Sequence, residues 1–214
     1  PLDGVTSGYL PENIVAKRAI ANLSIGQGTT LVSPLQAALA MAGLANGGYV
    51  PKPRLVMQTQ EPPPSNKVSF VMPVLRPYVL DYNESDMKAV QQGMYAVVNG
   101  EGGTGTSAGM SWPPVCGKTG TAQWTKDGKQ RYLAWFSGFV DAHAPRLAFA
   151  VMCEGRRGET IYGGRVAAPM AGDFLRTVYG NESYYRVTAG KRPETMQDID
   201  WDPVQQPVAS TQYP

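Results

Sequence analysis

The sequence predicts a mixed α/β domain in which a sheet is covered by helices on both faces. Arg131 to Val140 is apolar at both alternating positions, with Leu133, Trp135 and Phe139 set against Tyr132, Ala134 and Phe136. Arg146 to Cys153 is almost continuously apolar. Strands buried on both sides belong inside a sheet with helices above and below. The helices announce themselves by spacing, most clearly Leu35, Ala38, Leu39, Ala42 and Ala45.

The bulk properties fit one sizeable core. At 214 residues the chain is one large domain or a domain plus a tail. Hydrophobic content of 43% and charged content of 17% are those of a globular protein. A net charge of +2 without a Lys/Arg cluster gives no case for nucleic acid. The longest small-apolar run, Leu35 to Ala45, is too short to span a bilayer. The chain begins with Pro1 and carries no signal peptide, so it reads as an internal piece of a longer protein. Cys116 and Cys153 fall on different predicted strands. With one strand between them they stand about 9–10 Å apart, too far for a disulfide, and two buried thiols are expected.

Taken in order, residues 1–24 read as a loop with a short helix from Glu12 to Asn22. The next helix is well marked: Ser33 caps it, Pro34 takes its first position, Gln36 completes a capping box and Asn46-Gly47-Gly48 ends it. Residues 51–60 read as extended, and Val68 to Leu75 as a partner for them. A helix capped by Asn83 or Ser85 follows, with Met87, Val90, Met94, Val97 and Val98 on one face. Gly100 to Gly109 reads as a flexible Gly/Thr loop. Lys126-Asp127-Gly128-Lys129 is a hairpin signal. The turn 141–145 holds the sole histidine, His143, expected to be solvated. A last helix runs from about Val166 to Tyr179 with Val166, Met170, Phe174 and Val178 at spacing four. Residues 1–180 form the domain; 181–214 are polar and Pro/Gln-rich and read as a disordered tail.

The chemistry concentrates in Val115-Cys116-Gly117-Lys118-Thr119-Gly120-Thr121-Ala122-Gln123. On a strand, Thr119 and Thr121 face one way and Lys118 the other. Gly120 leaves room for another backbone. Such a strand suits an extended peptide ending in a carboxylate, with main chain paired to main chain and the charge held by Lys and Thr. A phosphate-binding loop is excluded, because that motif needs glycine where Trp112 stands. Gly26-Gln27-Gly28 is no dinucleotide fingerprint, since Leu31 occupies the third glycine position.

Lys118-Thr119-Gly120 also resembles a signature of the penicillin-binding proteins and serine β-lactamases. Ile25-Gly26-Gln27-Gly28, Ser33-Pro34-Leu35-Gln36 and Ala45-Asn46-Gly47-Gly48 resemble the segment before that signature in class B penicillin-binding proteins. Gly93-Met94 with Gly103-Thr104-Gly105, then Ala134-Trp135-Phe136-Ser137-Gly138-Phe139 and Gly164-Arg165-Val166-Ala167-Ala168-Pro169, are similar to the following helix, loop, strand and last helix. The resemblance covers roughly residues 8–180 and is nearest the elongation-type group that includes penicillin-binding protein 2.

This resemblance implies the C-terminal half of a penicillin-binding/serine β-lactamase-like fold, a central antiparallel sheet covered by helices. It implies a D,D-transpeptidase that cross-links peptidoglycan by acyl transfer from D-Ala-D-Ala stem peptides and is acylated by β-lactams, with no cofactor and no metal. Lys118 is then the catalytic cation, Thr119, Gly120 and Thr121 bind substrate, and the Thr121 backbone N–H is an oxyanion donor. Implied partners are stem peptides, β-lactams, the N-terminal remainder of the protein and the cell-wall elongation machinery, with no nucleic acid. The implied location is the extracytoplasmic side of the inner membrane, on an anchor outside this sequence.

The family's Ser-x-x-Lys and Ser-x-Asn belong well upstream of Lys118, and no Ser-x-Asn occurs in the sequence. Ser85 and Lys88 form a Ser-x-x-Lys, but at 100° per residue Ser85 falls almost opposite the apolar face near Met87 and Met94. Ser85 is therefore read as a capping serine, the chain alone as unable to be acylated, and its apolar surface as exposed where upstream helices would pack. A serine β-lactamase and a non-catalytic β-lactam sensor are the alternatives within the same fold.

Overall fold

The computed structural model describes residues 8–11, 16–56, 58–71, 77–126 and 128–180. The proposed tail, the start of the first predicted helix and residues 72–75 of the second extended stretch lie outside them. The elements are α1 (Lys17–Ser24), α2 (Pro34–Ala45), β1 (Tyr49–Val50), β2 (Gln58–Gln60), β3 (Val68–Val71), β4 (Tyr78–Val79), α3 (Glu84–Asn99), β5 (Val115–Lys126), β6 (Lys129–Val140), β7 (Leu147–Glu154) and α4 (Ala167–Gly180).

β5, β6 and β7 form an antiparallel sheet in that order. Lys126 pairs with Lys129 across the hairpin, where Gly128 has φ +68°, the left-handed region that a two-residue turn demands. Helices cover both faces. Phe136, Val115, Val140 and Phe149 pack with Val98 of α3 and with Ala167, Ala168, Ala171 and Leu175 of α4. On the other face Cys116 and Phe139 pack with Ala45 of α2 and Met94 of α3.

Ser33 and Gln36 cap α2 as the sequence predicts: the Gln36 N–H donates to Ser33 Oγ at 3.3 Å, and the Ser33 N–H to Gln36 Oε1 at 2.8 Å. Ser33→Ala removes one acceptor for the orphan donors of the helix start, and should lower stability by about 1 kcal/mol in a urea titration. A change below a few tenths would show that α2 is held by packing alone.

Several expectations need correction. Of the extended stretch 51–60 only β2 is a strand, paired with β3 as expected, while β1 lies just before the stretch and pairs with β4. Pro51 and Pro53 intervene and have no N–H for a ladder. On α3 Val90 is exposed and Gln91 is buried in its place, because the Gln91 Nε2 donates at 2.7 Å to the Leu44 carbonyl at the end of α2. On α4 the buried stripe is Ala167, Ala168, Ala171, Gly172 and Leu175, while Met170 and Phe174 are about half exposed. Small residues let this helix come close: a β-carbon at residue 172 would press on the backbone of Ser107 and Ala108. The 100–109 loop is not loose, for Gly105 N–H bonds Val97 O at 2.9 Å, residues Thr106–Ala108 make a 3₁₀ turn, and Ala108 is fully buried. The first helix begins later than predicted, at Lys17, and buries no residue.

Both cysteines are free, with β6 between their strands, but only Cys116 is fully buried. Leu10, Ile25, Leu31 and Val32 expose apolar side chains. Among the described residues no helix is long and apolar enough to cross a membrane.

Candidate active site

Hydrogen-bond direction along the sheet determines what β5 offers. Gly155 N–H donates to Tyr132 O and Arg146 N–H to Val140 O, so the even-numbered residues of β6 turn their peptide groups toward β7. The odd-numbered ones then face β5, where Ser137 lies opposite Lys118 and Trp135 opposite Gly120. Lys118 and Gly120 therefore spend their backbone bonds inside the sheet. Gly117, Thr119 and Thr121 turn theirs outward, to the edge of β5.

Side chains meet that edge. Asn99 Nδ2 donates to Val115 O at 2.9 Å, Lys118 Nζ to Thr119 O at 2.8 Å, and Gln27 Nε2 to Thr121 O at 2.9 Å. Among the described residues nothing bonds the Thr121 N–H. The Lys118 ammonium is exposed, and lies on the pleat face opposite the two hydroxyls.

On the hydroxyl face, Thr119, Gly120 and Thr121 line a cleft of about 380 Å³ with Thr104 and residues Tyr162, Gly163, Gly164 and Arg165. Thr119 Oγ1 is 2.7 Å from Thr104 Oγ1. Thr121 Oγ1 accepts from the Gly163 N–H at 3.3 Å, which leaves its own O–H free to donate. The Gly163 backbone lies against the strand at Gly120 on the hydroxyl face, whereas a β-carbon on Gly120 itself would meet only Trp135 Cβ, at 3.3 Å. A β-carbon at residue 163 would overlap the carbonyl oxygens of Gly120 and Trp135, so only glycine lets this loop lie on the strand. The Arg165 guanidinium stands 5.7 Å from the Tyr162 ring centroid, over its face, and brings an exposed cation to the cleft.

Thr104, Gln27 and the 162–165 loop were missed as site residues by sequence reasoning. Their signals were a glycine on one or both sides, in Gly26-Gln27-Gly28, Gly103-Thr104-Gly105 and Gly163-Gly164, and the family resemblance of those segments, neither of which assigns a role to a residue.

The other candidates lie apart from the cleft. Ser85 is exposed at the start of α3, where its Oγ donates to Asn83 Oδ1 at 2.7 Å. Asn83 is the cap, accepting the Ser85 N–H at 2.9 Å. His143 is not simply solvated: it is half-buried with its ring 5.9 Å from that of Trp112. Its N–H bonds Asp141 Oδ1 at 3.0 Å.

The displaced pKa values gather near the beginning of β5. Burial pushes the Cys116 thiol well above its usual range, with the Asp141 charge adding to it. Burial also raises Asp141, opposed by the His143 N–H and by the charges of His143 and Arg146. Tyr95 is raised by burial and by Cys116. Such a thiol is protonated and inert. Among the described residues no three His, Cys, Asp or Glu side chains converge.

Comparison with known proteins agrees with this architecture. Residues 2–176 match the family described as the penicillin binding protein transpeptidase domain. Stage V sporulation protein D of Bacillus subtilis is 32% identical over 179 residues, which are 82% of this chain and 27% of that protein. The peptidoglycan D,D-transpeptidase MrdA of Haemophilus influenzae is 32% identical over 70% of this chain and 24% of its own. The chain thus spans about a quarter of the length of these relatives. Among solved structures, penicillin-binding protein 2B of Streptococcus pneumoniae shares the fold, with a TM-score of 0.66 at 22% identity over 86% of this chain and 30% of that one. PBP2 of Pseudomonas aeruginosa, solved in complex with WCK 5153, aligns with a TM-score of 0.54 at 28% identity over 74% and 32%. The fold is that of the penicillin-binding proteins and serine β-lactamases, and the chain belongs to the penicillin-binding protein transpeptidase-domain family.

Proposed function

We propose that the protein containing this chain is a peptidoglycan D,D-transpeptidase, and that residues 1–180 form one wall of its active site. The observation that carries this reading is the outer edge of β5. Thr121 presents an unbonded N–H there, beside two threonine hydroxyls on one pleat face and a lysine on the other.

A stem peptide laid antiparallel to this edge exchanges both main-chain bonds with Thr121. Its scissile carbonyl oxygen takes the Thr121 N–H, and the N–H of the same substrate residue goes to Thr121 O. The peptide's terminal carboxylate meets the free O–H of Thr121 and the Thr104–Thr119 pair, with the positive potential of Lys118 beside them. A serine from the upstream part of the protein attacks the carbonyl carbon. The C–N bond to the last D-Ala breaks once the tetrahedral oxyanion, held by the Thr121 N–H, collapses. An amine from a second stem peptide then attacks the ester, and the serine is regenerated. β-Lactams enter as closed-ring mimics of the same acyl donor.

On this reading the domain works outside the cytoplasmic membrane, on an anchor elsewhere in the protein, with the elongation machinery as its partner. The Thr104–Thr119 pair and the open Thr121 N–H suit a carboxylate and an extended backbone together, which an ordinary solvated strand has no need of.

Labelling of the full-length protein with a fluorescent penicillin tests the reading. One covalent adduct is expected, on a peptide outside residues 1–214, and Ser85→Ala should label at the wild-type rate. An adduct at Ser85, or loss of label in Ser85→Ala, would make α3 the catalytic helix and overturn the assignment.

A further inference from the structure

Of the three side chains that meet carbonyls at the β5 edge, Asn99 and Lys118 reach from nearby in the sequence, whereas Gln27 comes from 94 residues away. Its place is built. Gly26 N–H bonds Leu23 O at 2.9 Å and Gln27 N–H bonds Asn22 O at 2.8 Å, so the end of α1 holds the backbone. Gly26 and Gly28, at φ +71° and +106°, take left-handed conformations that other residues adopt only with strain. A β-carbon at Gly26 would meet nothing within 4 Å, and at Gly28 only Asn22 Cβ at 3.7 Å. These glycines therefore serve the turn that aims Gln27, not a tight contact.

What Gln27 holds is consequential. The N–H and C=O of Thr121 flank one Cα and face the same edge, so fixing one restrains the other. The peptide that carries the Thr121 N–H also belongs to Gly120, whose missing side chain leaves that plane freer to rotate than in any other residue. Gly163 restrains the Thr121 side chain and β6 restrains Gly120. On the outer side the restraint is the Gln27 carboxamide.

We propose that Gln27 is a positioning residue for acyl transfer: by holding the Thr121 carbonyl it keeps the Thr121 N–H aimed at the point where the oxyanion develops. This rests on the transpeptidase reading above. A carbonyl oxygen has two lone pairs, so an incoming peptide N–H can share Thr121 O with Gln27.

Gln27→Met in the full-length protein keeps the length of the side chain and removes its donor. Single-turnover acylation by a chromogenic β-lactam separates the acylation rate constant from the dissociation constant of the initial complex. A roughly tenfold fall in the rate constant is expected, with the dissociation constant within about twofold, because misaimed groups cost rate more than binding. Deacylation should slow by a similar factor, since it passes through the same oxyanion. A partly unfolded sample lowers the amplitude of labelling and leaves the rate constant alone, so poor folding cannot imitate this result. An unchanged or faster rate constant, or a loss confined to the dissociation constant, overturns the role of Gln27. If the wild-type protein takes up no label, the transpeptidase reading fails first and this inference falls with it.

Discussion

Lys118→Ala in the full-length protein is expected to slow penicillin acylation by roughly 10²-fold while leaving thermal stability almost unchanged. The two halves of that expectation have different causes. Lys118 is exposed, and among the described residues its Nζ bonds only the carbonyl of its own neighbour, Thr119, at 2.8 Å. A surface lysine of this kind contributes little to folding. On the proposed transpeptidase reading it becomes, under a bound substrate, the cation beside a carboxylate and a developing oxyanion. A hydrogen bond to a charged group contributes about 1.5–3 kcal/mol, and every 1.36 kcal/mol is tenfold in rate. Lys118→Arg should recover only part of the loss, because a planar fork does not replace a compact ammonium with rotatable donors. Stopped-flow acylation alongside a melting curve measures both. A rate within threefold of wild type would remove Lys118 from the machinery; a large drop in melting temperature would mean that it holds the strand instead.

How much of this was legible follows from the range of each interaction. The Lys118-Thr119-Gly120-Thr121 alternation needs only the two-residue period of a strand, and the structure places the side chains accordingly. The Ser33–Gln36 box and the 126–129 hairpin each span four residues, and both were readable from the sequence. The Gln27–Thr121 bond was not, because nothing in a Gly-Gln-Gly turn names its acceptor 94 residues on. Nor does periodicity say which of two faces a helix buries when both are apolar. On α4, spacing selected Met170 and Phe174, but the sheet accepted the alanine and glycine side because Gly172 lies against the Ser107–Ala108 backbone. At Gln91 a polar residue displaced Val90 from the core for the sake of one unsatisfied carbonyl at the end of α2. In each case a tertiary contact overrode a local signal that was itself sound.

Phe136→Ala should cost about 3–5 kcal/mol, the usual range for emptying a buried phenylalanine site. The ring is fully buried at the middle of β6, the central strand. It meets Phe149 of β7 at 5.6 Å between centroids with planes inclined by 39°, a tilted pair that adds to the burial of area. Two glycines mark how tightly it is enclosed. A β-carbon at Gly117 would overlap the ring, and one at Gly105 would come within 3.0 Å of it. Gly105 adjoins Thr104, and Phe136 is the cross-strand partner of Thr119, so the ring lies beneath both hydroxyls of the cleft. Relaxation that filled the cavity would have to move Gly117 or the 100–109 loop, and either motion disturbs the Thr104–Thr119 hydroxyl contact. The variant should therefore lose acylation rate as well as stability. Phe136→Leu, which retains most of the volume, should lose far less of both. Urea titration followed by tryptophan fluorescence gives the stability change, and acylation at a temperature where the variant remains folded gives the rate. A cost below about 1 kcal/mol would mean that the sheet's core is not centred on Phe136, and a full rate at reduced stability would uncouple the cleft from its floor.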